Sequence, residues 1–159
     1  MILREFRQED QPGIVSLQEE FMNEFFPEYA DDPRQYEWNA DAYDVNQHYI
    51  QKGGKVWVVD DDNHIAGFGC VRIVDSHTAE IKRVRINAQY RGKGWGSTII
   101  EKIEEHCANY NFRRLLVDTE ESLKAARSMY DNMGYTVYRT NTETEDGTEY
   151  TQIFYEKLL

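Results

Sequence analysis

At 159 residues and 18.8 kDa, the chain has the size of one ordinary globular domain and little room for a second core, so residues 1–159 are expected to form a single domain. Lys and Arg number 18 against 29 Asp and Glu, a net charge of −11 whose field repels phosphate backbones and anionic lipid and so argues against nucleic acid or a membrane surface as partner. Hydrophobic residues at 40% and aromatics at 13% are enough for a core, which excludes a disordered chain.

Ile2 to Arg7 alternates apolar and polar side chains like a short half-buried strand, and its charges at positions 4, 5 and 7 do not fit the apolar stretch of a secretory signal. No later run approaches the roughly 20 apolar residues of a membrane span. Asp10 and Pro12 open a predicted helix to about Phe26, with Ile14, Leu17, Phe21 and Phe25 spaced along one face. Pro27 and Pro33 break the next stretch into turns and short helical pieces as far as Tyr49. Two apolar runs, Val56–Val59 and Ile65–Ile73, flank five residues of turn chemistry, Asp60 to His64, and predict a hairpin. A strand from Ala79 to Ile86 then leads through Arg91-Gly92-Lys93-Gly94-Trp95-Gly96-Ser97 into a helix of about a dozen residues with Ile99, Ile100, Ile103 and Cys107 on its inner face. The strand Arg114–Asp118 comes closely enough after it to pair in parallel through a right-handed crossover. A helix from about Ser122 to Met133 stops at Gly134, and Tyr135–Arg139 with Tyr150–Lys157 closes the chain as a hairpin around Asp146-Gly147. Cys70 and Cys107 stand too far apart for a metal knuckle and read as free thiols of a reducing cytoplasm.

Three glycines in five residues directly before a helix let the backbone come close to a ligand. The unpaired amides and dipole of the helix start favour a phosphate there, and Arg91 and Lys93 add two cations to an otherwise acidic chain. A nucleotide-hydrolase loop does not fit, because Lys93 is followed by Gly94 rather than by the hydroxyl residue that would meet magnesium. A dinucleotide fingerprint fits badly too, with its third glycine one place early and outside a first βαβ unit.

Arg91-Gly92-Lys93-Gly94-Trp95-Gly96 resembles the Arg/Gln-x-x-Gly-x-Gly/Ala signature of the GCN5-related N-acetyltransferases (GNAT), and Ala126 to Tyr135 is similar to that family's Ala-x-x-Leu-Tyr-x-x-x-Gly-Phe/Tyr segment. The order of elements matches along nearly the whole chain. The resemblance implies a mixed α/β fold: a mostly antiparallel sheet of about seven strands, splayed between strands 4 and 5 and flanked by about four helices. It further implies that Arg91, Gly92, Lys93, Gly94, Trp95, Gly96 and Ser97 hold the pyrophosphate of acetyl-CoA. Main-chain groups from Val84 through Arg85 to Ile86 would pair with its pantetheine arm, and Tyr130 would lie near the thioester sulfur. Leu123 stands where many members carry Asn, and Ala88 where a proline is usual.

An amine of lysine-like pKa is mostly ammonium at neutral pH, so the reaction must dispose of a proton. Glu80, at the start of the strand feeding the glycine loop, matches a position at which relatives carry a general-base glutamate; the alternative is a simple ion pair with Lys82 or Arg83. Tyr130 is the candidate proton donor to the departing thiolate. Between Phe21 and Tyr49 the acids Glu24, Glu28, Asp31, Asp32, Glu37, Asp41 and Asp44 lie among aromatics, in the region that covers the acceptor in GNAT relatives, which suggests a small cationic amine substrate or else a solvated surface. No His spacing indicates a metal. The expected activity is N-acetyl transfer from acetyl-CoA to a small primary amine by direct attack in a ternary complex. A non-catalytic acyl-CoA-binding module and a protein N-terminal or lysine acetyltransferase stand as alternatives, and homodimerisation is left open.

Overall fold

A computed structural model describes Met1–Leu159. Strand β1 (Ile2–Glu5) leads into helix α1 (Gln11–Phe25), then into three 3-10 turns between Pro27 and Tyr43 and the single-turn helix α2 (Val45–His48). Strands β2 (Lys55–Asp61), β3 (His64–Ile73) and β4 (Thr78–Ile86) come next, then helix α3 (Trp95–Asn109), β5 (Arg114–Glu120), helix α4 (Lys124–Asn132), β6 (Thr136–Glu145) and β7 (Thr148–Leu158). The seven strands form one sheet in the order β1-β2-β3-β4-β5-β7-β6, every neighbour antiparallel except β4 and β5. The mixed α/β architecture and the one parallel pair agree with the sequence reading.

Strand alternation distributes the core over two faces. Val56 and Val58 of β2 join Ile14 and Leu17 of α1, while Trp57 and Val59 join Ile99, Ile100 and Ile103 of α3 on the opposite face. Cys70 and Cys107 are free and buried, one in each layer. Asp10 anchors the start of α1: its carboxylate takes both Arg4 Nη1 and Nη2 at 2.8 Å and the Arg7 amide at 2.7 Å.

The predicted boundaries shift where local chemistry decides. The β2–β3 turn is two residues rather than five, because Asp62 and Asn63 both adopt positive φ, 54° and 70°, and the strands run on to meet them. Helix α4 starts two residues late, since the Glu120 carboxylate accepts the Ser122 amide at 2.8 Å and holds a turn there. It ends as expected at Gly134, whose φ of +85° is one that glycine adopts without steric penalty.

One irregularity shapes the site. Strands β4 and β5 pair only from Thr78 to Ile81 against Arg114 to Val117, and beyond that they diverge. At the divergence β4 bulges, its register to β3 shifting where Arg83 takes a φ of +59°. A non-glycine residue in that region carries strain of about 1–3 kcal/mol. Here Arg83 is clamped by Asp41 at 2.7 Å and by the Trp38 carbonyl.

Candidate active site

The divergence opens a cleft of about 1520 Å³ floored by Ile81 to Ile86 of β4 and walled by α1, α4 and the loop before α3. At its α3 end, Gly92 and Gly94 adopt φ of +73° and +84°, and a Cβ at either would meet open space. Gly94 is the N-cap of α3 and the helix start has no side-chain cap, so the amides of Trp95, Gly96 and Ser97 have no intrahelical acceptor. Gly96 serves a different purpose: a Cβ there would lie 3.0 Å from Met129 Sδ, so its absence lets α3 approach α4.

The charged and aromatic residues of this loop lie differently from the glycines. Arg91 turns back to α1, where its guanidinium forms a two-point pair with Glu24 at 2.6 and 2.7 Å and donates to the Ile86 carbonyl at 3.0 Å. That pairing holds Glu24 below the usual carboxylate range. Lys93 sits over the Tyr90 ring, and Trp95 packs on the α3 core; neither lines the cleft.

In the middle of the cleft, β4 beyond Ile81 has no partner on its β5 side. The Val84 carbonyl accepts from Arg85 Nη1 at 3.1 Å, while the backbone edge from Lys82 to Ile86 faces the opening. Unpaired main-chain groups along a sheet edge are a template for an extended polar ligand. Tyr130 lies below them, buried, with its ring against Tyr135 and Tyr155. Burial raises its phenol well above 10, the nearby Arg85 charge opposing only in part, so it stays a proton donor at neutral pH.

Glu80 stands at the edge of this site, sharing Lys82 with the cleft-lining Asp118. It lies opposite Arg72 on β3, and its carboxylate is shared between Arg72 Nε at 2.7 Å and Lys82 at 3.5 Å, outside the cleft lining. Arg72 reaches it across the β3–β4 pair and Lys82 from two residues along the same strand, so a general-base role for Glu80 would compete with these two ion pairs. Among the acids that line the cleft is Asp118, which sequence reasoning missed. It sits at the carboxyl end of a parallel strand, 3.1 Å from Lys82 Nζ and hydrogen-bonded by Gln152 Nε2. Burial works to raise its pKa, but Lys82 and Gln152 outweigh that and hold it below the ordinary value. An acid directly after the apolar run Leu115-Leu116-Val117, near the end of a strand feeding a crossover, was the available signal.

The acidic segment also resolves into particulars. Glu24 is taken by Arg91 and Asp41 by Arg83, Asp44 caps α2 through the Gln47 amide at 3.0 Å, and Glu28 accepts the Tyr150 hydroxyl at 2.8 Å. What the segment gives the cleft is chiefly aromatic: Phe21, Phe25, Phe26, Tyr29 and Trp38 line it.

Comparison with known proteins agrees with this geometry. The family model described as "Acetyltransferase (GNAT) family" matches residues 14–135. A Xenopus tropicalis protein named "Probable N-acetyltransferase 14" is 32% identical over 105 residues, covering 63% of this chain and 50% of the relative. The N-acetylaspartate synthetase of Homo sapiens is 25% identical over 99 residues, covering 61% of this chain and 33% of the relative. The chain thus spans between a third and a half of these two relatives' lengths. Among solved structures, the ribosomal-protein-alanine N-acetyltransferase from Brucella melitensis superimposes over 100% of both chains with a TM-score of 0.82 at 15% identity. The yncA protein of Salmonella typhimurium, solved with its cofactor acetyl-CoA, superimposes over 99% of this chain and 92% of its own with a TM-score of 0.80, also at 15% identity. At these identities the likeness speaks to the fold.

Proposed function

Because the chain belongs to the acetyltransferase (GNAT) family, we propose that it transfers the acetyl group of acetyl-CoA to the primary amine of a small acceptor, residues 1–159 acting as one domain. The observation that carries this reading is the wedge between β4 and β5, which exposes an unpaired strand edge leading from the uncapped start of α3 to the buried Tyr130. Those three features match, in order, a diphosphate, an amide-bearing arm and a thioester. Acetyl-CoA supplies the acetyl group as a thioester.

The chain's residues do the rest. The amides from Gly92 to Ser97 grip the diphosphate, with Arg91 closing the loop onto α1 rather than contacting phosphate through its guanidinium. The β4 edge from Val84 to Ile86 pairs with the arm and turns an amide toward the carbonyl oxygen on which negative charge develops. Asp118 orients the attacking amine. Since Lys82 keeps Asp118 acidic, it cannot hold the amine proton for long, and the proton passes on to water in the open cleft. As the amine nitrogen bonds to the carbonyl carbon and the C–S bond breaks, Tyr130 donates its proton to the sulfur and regains one from solvent.

No helix is long and apolar enough to cross a membrane, and we place the chain in the cytoplasm on its two free cysteines. Titration calorimetry with acetyl-CoA, followed by an assay of CoA thiol release over a panel of primary amines, tests the reading. Heat on binding and amine-dependent thiol release support it. Binding without thiol release from any amine makes the chain an acyl-CoA-binding module instead.

A further inference from the structure

The cations in and around the cleft are not alike. Lys82 has Asp118 at 3.1 Å, Arg83 has Asp41 at 2.7 Å, and Arg91 has Glu24 at 2.6 Å. Arg85, on the cleft floor next to the bulge, has no carboxylate. Its guanidinium carbon sits over the Phe21 ring, 3.6 Å from the centroid, and only neutral groups hold it: Nε donates to Gln18 Oε1 at 3.2 Å and Nη1 to the Val84 carbonyl at 3.1 Å. The holding is itself built. Gln18 is fully buried and donates to Asn39 at 2.8 Å, and Asn39 donates to the Pro33 carbonyl at 3.1 Å, so two side-chain amides are committed to fixing the fork.

Of the five N–H groups a guanidinium carries, two are thus used and three are left. The two on Nη2 are not sealed against protein, since that atom is not among the buried unpaired ones, and Arg85 lines the cleft. A desolvated charge with neutral partners alone is costly, and burial, reinforced by the Arg83 charge, lowers its pKa to about 9. A fork pre-set on an aromatic face with free N–H groups is the geometry that receives a carboxylate at two points. Arg85 and Asp118 both line the cleft that holds Tyr130, so it offers a positive and a negative group to one ligand.

We propose that the acceptor is an amino acid whose carboxylate seats on Arg85 while its amine is directed by Asp118 toward the thioester. This rests on the transferase reading and narrows its substrate class from amines to zwitterions. It also accords with four of the seven acids between Phe21 and Tyr49, namely Glu24, Glu28, Asp41 and Asp44, having partners within the protein.

The test is CoA thiol release by the full chain with the common L-amino acids, their carboxamides and the matching decarboxylated amines, in the native protein and in Arg85→Gln and Arg85→Lys. Loss of a two-point charged contact predicts a drop in kcat/KM on the order of 10²-fold from the best amino acid to its amide. In Arg85→Gln the acid and the amide become equivalent. Arg85→Lys, which keeps the charge without the fork, retains a reduced preference and guards against a folding defect in the glutamine variant. An unchanged KM for acetyl-CoA in both variants confirms that the cofactor side is intact. Amides or plain amines transferring as fast as acids in the native chain overturn the proposal while leaving the transferase standing. A kcat loss in Arg85→Gln equal for acids and amides assigns Arg85 to the thioester and overturns it too. Acetyl-CoA binding with no release from any amine removes the transferase reading and this inference with it.

Discussion

Replacing Gly94 by alanine isolates the backbone conformation of the loop from every other property of the site. A Cβ at Gly94 would have no neighbour within 4 Å, so the substitution introduces no clash, and its whole effect comes from forcing an L-residue to a φ of +84°. That costs about 1–2 kcal/mol. The loop is exposed, so the free protein relieves the strain by rotating Gly94 out of the left-handed region, which turns the amides at the start of α3 away from the cleft. Binding must then restore the strained form, and the cost enters the dissociation constant as a weakening of roughly 5- to 30-fold. Gly96→Ala is the control: it leaves the left-handed turn at Gly94 untouched and instead presses a Cβ to 3.0 Å from Met129 Sδ, so its cost falls on the α3–α4 packing and on the melting temperature, offset in part by the helix preference for alanine of about 1 kcal/mol. Calorimetric titration with acetyl-CoA, paired with thermal melts of both variants, reads the difference. Affinity within twofold of native in Gly94→Ala, or a greater loss in Gly96→Ala, would refute the claim that this conformation holds the diphosphate.

The remaining predictions concern the reacting groups and the frame. Tyr130→Phe removes a buried proton donor and is expected to lower kcat by about 10²-fold with the acetyl-CoA dissociation constant nearly unchanged; an unaltered kcat takes Tyr130 out of the chemistry. Asp118→Asn is expected to cost about 10²-fold in kcat and Glu80→Gln less than about threefold, because Asp118 faces the cleft and Glu80 does not; the reverse ranking would restore Glu80 as the base. Asp10→Asn, at a carboxylate 4% exposed and paired with Arg4, should lose about 2 kcal/mol in chemical denaturation at pH 7. Burial raises the Asp10 pKa, but Arg4 and the Arg7 amide bring it below the ordinary value, so its contribution is complete above about 3.9 and fades as pH falls through the folded-state value. Native and variant stabilities should therefore converge below about pH 4, and a gap that stays constant down to pH 3 counts against the ion pair.

Features written in adjacent residues are legible in the chain's own order. The glycine loop, the stop at Gly134, the Asp146-Gly147 turn and the parallel pairing of β4 with β5 each arise from propensities or connections spanning a few dozen residues at most. Tyr130 is visible through its motif and lies in the cleft. The choice between Glu80 and Asp118 is not legible in this way. Both sit in alternating strands, and what separates them is which partners stand beside each: Arg72 across the β3–β4 pair, Lys82 between the two acids, and the point at which β4 leaves β5.

The same holds for charge. The sequence shows two cations flanking Gly92 and a run of acids after Phe21, but Arg91 meets Glu24 across 67 positions and Arg83 meets Asp41 across 42. Composition and local pattern by themselves determined the kind of fold and the glycine loop proposed here to receive a phosphate group, because backbone conformation answers to near neighbours. Only the folded chain decided which charges cancel and that Arg85 is left with neutral partners, because the energy of a charge depends on what tertiary packing sets within a few ångströms of it.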